Sequence, residues 1–374
     1  MIRILHITSG LNLGGAETTL FKICINSDKS LFEHIVISLT DSGYYYKNLT
    51  KNNIKVYTIN FKKNIFDLLK FIKLIILIKR LKPSIVQTWM YHADIIGSIA
   101  TRFVLNIPIV WNIRHGSIQN KFSSRIFLLL LSFFSKIYPS EIISCSIKGA
   151  KFHIDHGYQA KKISIINNGF DTNHFHKILP LKHKLTDELN IPRSSYIVLY
   201  PARFHDQKNH SMFIKAASKV IKTMPNVFFI LCGKNINYSN KGLMKLLKYK
   251  KVKKNFLLLD IQSDMRKIYS SANLTCLTSS YGEAFPNIIA ESMACEVPCF
   301  STPVGDAPFI IGDSKYIVDF DDYKKLSELI IEFLSKSENE RSKIGNLFRE
   351  KIKKNYDIDK LINNYEKIYF KLSK

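Results

Sequence analysis

The chain has 374 residues, more than a single hydrophobic core usually organises, so two domains are expected. Lysine and arginine number 55 against 30 aspartates and glutamates, a net +25 that suits phosphorylated substrates or an anionic membrane face. Nucleic acid is not expected as a partner, because the cations are spread along the chain without a helix-turn-helix, zinc-finger or RNA-recognition signature. Six cysteines stand singly with no Cys-x2-Cys pair, which argues against a zinc site or a disulfide framework and for a reducing cytoplasm. The apolar start over residues 1–10 is too short and interrupted for a secretory leader, and no run reaches the roughly 18 apolar residues that span a bilayer.

Short apolar runs then alternate with helix-length segments, the βαβα pattern of parallel sheets covered by helices on both faces. Predicted strands of the first half are 2–7, 34–39, 55–59, 85–88, 109–112, 141–145 and 163–166. Two helices, 66–81 from Phe66 and 125–138 from Arg125, are unusually apolar and flanked by cations, a composition that serves either core packing or an anionic lipid interface. A linker is predicted over 175–191, where Pro180 and several charges occur without an apolar period. Strands of the second half are 197–201, 227–232, 256–259, 274–278 and 297–301, and a last helix over 358–372 repeats apolar residues on one face. The fold class is therefore α/β, with two Rossmann-like doubly wound parallel-sheet domains over residues 1–175 and 176–355.

Three segments carry chemistry. After the first strand, Gly10-Leu11-Asn12-Leu13-Gly14-Gly15-Ala16-Glu17 opens an amphipathic helix, and Gly14 and Gly15 let backbone amides approach a phosphate. Its spacing is not the dinucleotide Gly-x-Gly-x2-Gly, so a nicotinamide cofactor is disfavoured. Arg203 and Lys208 follow a strand end in the second half, placing two cations at the carboxyl edge of a sheet. In Ser279-Ser280-Tyr281-Gly282-Glu283-Ala284-Phe285-Pro286-Asn287-Ile288-Ile289-Ala290-Glu291, a turn leads into a helix. The first amides of that helix, with Glu283 and Glu291 as acceptors for hydroxyls, suit a sugar bonded to phosphate. His92 and His115 follow strands in the first half and are candidates for the other substrate.

The last of these segments resembles the Glu-x7-Glu signature of glycosyltransferase family 4, retaining enzymes of the GT-B fold. The Gly-Gly-Ala-Glu loop, the Arg203-x4-Lys208 pair, Ser144-Cys145-Ser146 with Lys148, Ala150 and His153, the run 166–175 and Thr302-Pro303-Val304-Gly305-Asp306 resemble the same family. The resemblance implies two domains facing a central cleft, the first joined by the C-terminal helix 356–374. It implies that the donor lies on Gly15, Arg203, Lys208, Glu283, Phe285, Pro286, Asn287, Ile288 and Glu291. Gly14, His92 and His115 would lie on the acceptor side, and the catalytic set would be His115, Glu283, Arg203 and Lys208.

Expected is a retaining transfer of a hexose or N-acetylhexosamine from a nucleotide sugar, chiefly a UDP-sugar, to a lipid-linked or saccharide acceptor of cell-surface polysaccharide. Neither a metal nor a cofactor is called for, the nucleotide sugar being a co-substrate, and the protein is placed in the cytoplasm or at the inner face of the membrane. A nucleotide-sugar 2-epimerase of the same fold and an inert basic binding protein are the alternatives. Departures from the family pattern are Ala284 and Glu296, where glycine is common, and Phe309, where glutamate is common.

Overall fold

The computed structural model describes residues 1–62, 67–116, 122–178, 180–249 and 252–374. They form two compact units, residues 1–169 with 359–374, and residues 170–358. In the first unit, β1 (Ile2–Thr8), β2 (Phe32–Ser38), β3 (Lys55–Thr58), β4 (Ile85–Trp89), β5 (Ile109–Ile113), β6 (Glu141–Ser144) and β7 (Ile163–Ile165) lie parallel in the order β3-β2-β1-β4-β5-β6-β7. Between them run α1 (Gly15–Asn26), α2 (Tyr45–Lys51), α3 (Asp67–Leu81), α4 (Tyr91–Arg102), α5 (Phe122–Ile137) and α6 (Ile147–Asp155). Right-handed crossovers put α1 and α2 on one face of the sheet and α3, α4 and α5 on the other. Accordingly α1 packs on α2, and α4 packs on both α3 and α5. Every residue of β4 and β5 is buried, as strands covered on two sides require. Phe66, at the start of the helix predicted over 66–81, lies outside the described residues.

The second unit repeats the plan with β8 (Tyr196–Pro201), β9 (Val227–Cys232), β10 (Phe256–Leu259), β11 (Leu274–Leu277) and β12 (Cys299–Ser301), parallel in the order β10-β9-β8-β11-β12. The helices in this unit are α7 (Pro180–Glu188), α8 (His210–Thr223), α9 (Lys241–Tyr249), α10 (Met265–Ser271), α11 (Asn287–Ala294), α12 (Ala307–Ile311), α13 (Tyr323–Ser335) and α14 (Glu338–Tyr356). The stretch 175–191 is not a bare linker. It holds α7, which packs on α10 and buries Leu185 in one cluster with Ile191, Ile268 and Tyr269. Leu181, Leu185 and Leu189 stand four residues apart, an apolar period that the charges between them and Pro180 before them obscure. Arg349 of α14 ties down the chain just before it, donating to the carbonyls of Thr172 at 2.8 Å and Phe175 at 2.7 Å.

The last helix, α15 (Ile358–Leu372), belongs from residue 359 to the first unit. There its buried face carries two hydroxyls into the polar centre of the sheet: Tyr365 donates to Asn112 Oδ1 at 2.7 Å and Tyr369 to Gln87 Oε1. All six cysteines are buried, and none of them is in a disulfide.

Glu296 follows α11 with φ at 60°, the left-handed conformation that closes many helices and that glycine adopts without strain. Its side chain costs about 1–2 kcal/mol there. Glu296→Gly is therefore expected to raise stability by about 0.5–1 kcal/mol after the extra chain entropy of glycine is subtracted, read as a higher urea midpoint at unchanged slope. A lower midpoint would contradict the strain.

Three buried histidines of the first unit are held neutral. Trp89 Nε1 donates to His6 Nδ1 at 3.2 Å, which puts the His6 proton on Nε2 and directs it to His34 Nδ1 at 2.9 Å. His153 donates from Nδ1 to the Gly149 carbonyl at 2.7 Å and accepts the Tyr91 hydroxyl at Nε2, 2.8 Å away. Burial lowers the pKa of all three, to about 4 for His34 and His153. Between about pH 6.5 and 4 the unfolded chain takes up protons that the folded one refuses, so stability is full above 6.5 and falls as pH drops. At pH 5 His34 and His153 should each have cost the fold about 1–2 kcal/mol, measured as a falling urea midpoint between pH 7.5 and 5. A flat profile would refute the neutral assignment.

Candidate active site

In the second unit the strand order reverses between β8 and β11, so the loops leaving their carboxyl ends diverge and open a space above the sheet. The loop from β8 begins at exposed Arg203 and ends at Asn209, whose left-handed backbone (φ 50°) lets its side chain accept the Met212 amide and cap α8. Its partner from β11 runs from Thr278 to Pro286. Polar contacts stitch the two. The Thr278 hydroxyl reaches the Lys208 and Asn209 carbonyls at 3.2 and 3.1 Å, and the Ser280 amide donates to the Gln207 carbonyl at 2.8 Å.

Across this seam the Lys208 ammonium pairs with the Glu283 carboxylate, the two side chains only 17% and 14% exposed. Glu283 Oε1 also accepts the Ser279 hydroxyl at 2.9 Å. Arg203 donates to the Gln207 side chain at 3.3 Å. The structure thus brings Arg203, Lys208 and Glu283 into one cluster, with Gln207 and Ser279 as intermediaries. Motif spacing does not single out those two; the signal for them is position, Gln207 inside the Arg-x4-Lys segment and Ser279 one helical repeat before Glu283.

Four residues after Glu283, α11 begins. Its N-cap is Pro286, which offers no capping side chain, so the positive end of the helix at Asn287 and Ile288 is not shielded by its own cap. Phe285 and Pro286 are buried, and the Phe285 ring lies between Phe170 and Tyr356, centroids 6.1 and 5.4 Å away. They set the turn through packing. Glu291, half-buried further along α11, accepts the Tyr269 hydroxyl of α10 at 3.0 Å rather than joining the Lys208 pair. Beneath the turn, Thr302 donates to the Ser279 carbonyl at 2.6 Å and Asp306 N to the Ala284 carbonyl at 2.9 Å. A groove of about 650 Å³ in the same unit lies at the other edge of the sheet, lined by Ser195, Asn273 and Pro298 at strand starts, away from these groups.

The first unit has a matching arrangement. Gly14 and Gly15, His92 and His115 follow β1, β4 and β5, adjacent strands on either side of the reversal. A β-carbon on Gly14 would meet only the Glu17 carboxylate, the movable end of a side chain, and its backbone is extended, so neither space nor φ demands glycine there. Exposed His92 lies 5.4 Å from the Phe127 ring. His115 is half-buried 5.5 Å from the Tyr91 ring, and burial lowers its pKa, favouring the neutral imidazole. Its neighbour Arg114, unmarked by any motif, donates to Asn168 Oδ1 at 2.6 Å and the Tyr365 hydroxyl at 2.7 Å, with its guanidinium 5.0 Å from the Trp89 ring centre.

The fold is that of the GT-B glycosyltransferases. Residues 13–174 match the model for Glycosyltransferase Family 4 and residues 182–351 that for Glycosyl transferases group 1. The chain belongs to glycosyltransferase family 4 and is a transferase. It is 27% identical over 325 residues to the Escherichia coli UDP-Gal:alpha-D-GlcNAc-diphosphoundecaprenol alpha-1,3-galactosyltransferase, a match covering 79% of this chain and 81% of that one. To the Bacillus anthracis N-acetyl-alpha-D-glucosaminyl L-malate synthase it is 26% identical over 189 residues, 50% of this chain and 48% of that enzyme, so the match spans about half of each. Anabaena HepE, solved in complex with UDP, superimposes with a TM-score of 0.88 at 19% identity, covering 99% of this chain and 100% of that one.

Gly305 has φ 49°, and a β-carbon on it would sit 2.5 Å from the Ala284 carbonyl oxygen and 2.6 Å from that of Glu283. Gly305→Ala must displace the Glu283 turn. The expected outcome is a loss of about 1–3 kcal/mol in stability with weakened nucleotide-sugar binding by calorimetry. Wild-type binding in this variant would show that the turn's position is immaterial.

Proposed function

We propose that the enzyme is a retaining, metal-independent glycosyltransferase that moves a hexose or N-acetylhexosamine from a UDP-sugar to a lipid-linked or saccharide acceptor in cell-surface polysaccharide biosynthesis. The observation that carries this reading is the contact of Lys208 with Glu283 at the strand reversal, beside the start of α11, whose N-cap is Pro286. Arg203 and Lys208 take the diphosphate and offset the charge that grows on it as the bond from the anomeric carbon to phosphate oxygen breaks. Glu283 and the amides of Asn287 and Ile288, with the turn shaped by Phe285 and Pro286, hold the sugar hydroxyls, while Glu291 takes the ribose. Glu291 is half-buried with the Tyr269 hydroxyl already on one oxygen, which orients its carboxylate.

The acceptor hydroxyl forms the new bond to the same carbon and gives up its proton. His115, neutral through burial, is suited to accept a hydrogen bond from that hydroxyl, with His92, Gly14 and the Gly15 amide on the same side by family position. With two cations on the diphosphate, the charge work calls for no divalent ion and no resident cofactor. A UDP donor is supported by Anabaena HepE, solved with UDP and with UDP-glucose, and a lipid-linked acceptor by the diphosphoundecaprenol in the name of the Escherichia coli relative. The site of action would be the cytoplasm, at the inner face of the membrane.

A panel of nucleotide sugars, read by donor hydrolysis, thermal shift and calorimetry, tests the assignment with Arg203→Ala and Glu291→Ala. Each substitution should weaken UDP-sugar binding at least about tenfold, and a chelator should leave turnover unchanged. If neither substitution changes the response, the donor site lies elsewhere. Net epimerisation of donor without acceptor would replace transfer by epimerase chemistry.

A further inference from the structure

The helical layer of α3, α4 and α5 on the first unit leaves an apolar surface uncovered. α3 is apolar on two sides: Leu74 and Ile78 are buried towards the sheet, while Leu68, Leu69, Ile72 and Ile76 face outward, Leu68 at 69% exposure. α5 does the same. Leu128 and Leu131 are buried, whereas Ile126, Leu129, Leu130, Phe133 and Ile137 recur every three or four residues on the opposite side, each at least 45% exposed. At the end of α4, Phe103 is 69% exposed and stands edge-on to Phe71 of α3, ring centres 6.3 Å apart. Singly exposed apolar residues are ordinary; this many on two neighbouring helix faces mark a surface that something covers.

Charge identifies what. Residues 67–138 contain ten lysines and arginines but only Asp67 and Asp94 as acids. Asp94 is wholly buried and Asp67 pairs with Lys70, so neither offsets the outer charge. Lys73, Lys79 and Arg80 share the outer side of α3, and Arg125 and Lys136 stand at the two ends of the exposed stripe of α5. A second copy applied to this face would press cationic rims against each other. A bilayer rich in anionic headgroups instead offers acyl chains to the leucines, isoleucines and phenylalanines and phosphates to the cations, whose stems reach outward. None of the described helices is long and apolar enough to cross a membrane, so the contact is interfacial.

We propose that the outer faces of α3 and α5, with Phe103, form a docking surface for an anionic phospholipid membrane. Nothing in this depends on the sugar transferred or on the acceptor being a lipid. A soluble acceptor would leave the surface as it is.

The full chain is mixed with vesicles of phosphatidylcholine and phosphatidylglycerol in equal parts, and with vesicles of phosphatidylcholine alone, and binding is followed by co-sedimentation over a salt series. Wild type should bind the mixed vesicles at least about tenfold more tightly than the neutral ones and release as salt rises. The pairs Leu129→Glu with Phe133→Glu on α5, and Leu69→Glu with Ile76→Glu on α3, should each weaken binding by roughly tenfold or more. All four positions are exposed, so circular dichroism, thermal midpoint and binding of UDP should stay at wild-type values. Absence of wild-type binding to mixed vesicles, or variants that bind like wild type, overturns the proposal. It is likewise overturned if sedimentation velocity finds a wild-type dimer that both variant pairs convert to monomer while vesicle binding is absent, since the face then joins two copies. Loss of vesicle binding with intact UDP binding leaves the donor site standing, so the two conclusions fail separately.

Discussion

A lysine ammonium and a glutamate carboxylate, both largely removed from water, meet where the loops leaving β8 and β11 come together, and the geometry of the second unit is arranged around that meeting. Removing each ion from water costs several kcal/mol, and the attraction at contact returns an amount of the same order, about 4 kcal/mol at the effective dielectric of a protein surface. The pair therefore contributes little net stability. Its consequence is positional: Lys208 is held from its carbonyl by Tyr200 and Thr278, Glu283 from its oxygen by Ser279, and the loop beneath by Thr302. A cation and a carboxylate that are already oriented need little rearrangement when a charged, hydroxylated ligand arrives, which is the condition under which electrostatic groups act most strongly on a reaction.

The first unit solves a related problem with neutral partners. Arg114, next to His115, is held by the Asn168 side chain, the Tyr365 hydroxyl and the face of Trp89, with no carboxylate in direct contact among those groups. Tyr365 comes from the final helix, which otherwise would be a distant appendage of the sequence. Its hydroxyl both accepts from Arg114 and donates to Asn112, so the helix is tied to the carboxyl end of β5, where His115 begins its loop. Glu17 of the glycine loop has its carboxyl pKa raised by burial, an effect that a backbone hydrogen bond and, more weakly, the charge of Arg114 only partly offset.

Much of this was legible in the residues, because buried parallel strands must be continuously apolar. All twelve predicted strands are present, with ends displaced by no more than two residues, as at β12, where Pro298 cannot donate to a ladder and the strand starts at Cys299. Helix α7 was less legible, because its leucines, Leu181, Leu185 and Leu189, are spaced among charges behind Pro180, and the contact that holds the helix comes from α10. The motif residues Arg203, Lys208 and Glu283 were legible through type and spacing. Gln207 and Ser279 were not, since an ordinary amide and hydroxyl acquire meaning only when another loop is beside them. Glu296 stands where glycine is common in the family pattern, and its left-handed φ is the physical reason glycine suits that position.

The apolar helices mark the limit of pattern reading most clearly. A stripe of leucines and isoleucines tells that one side of α3 is buried, but when apolar residues cover two sides the sequence does not say which side meets the sheet. Leu74 and Ile78 inward, and Leu69 and Ile76 outward, separate a core from a surface that share one composition. The same distinction divides the net charge of the chain. Lys208, shielded and paired, acts over ångströms and is little affected by salt, whereas Lys73, Lys79, Arg80, Arg125 and Lys136 act through solvent and are screened beyond about 8–10 Å. One excess of cations thus divides into two kinds of field: a short-range one that depends on placement within an ångström or so, and a long-range one that depends only on how many charges share a face.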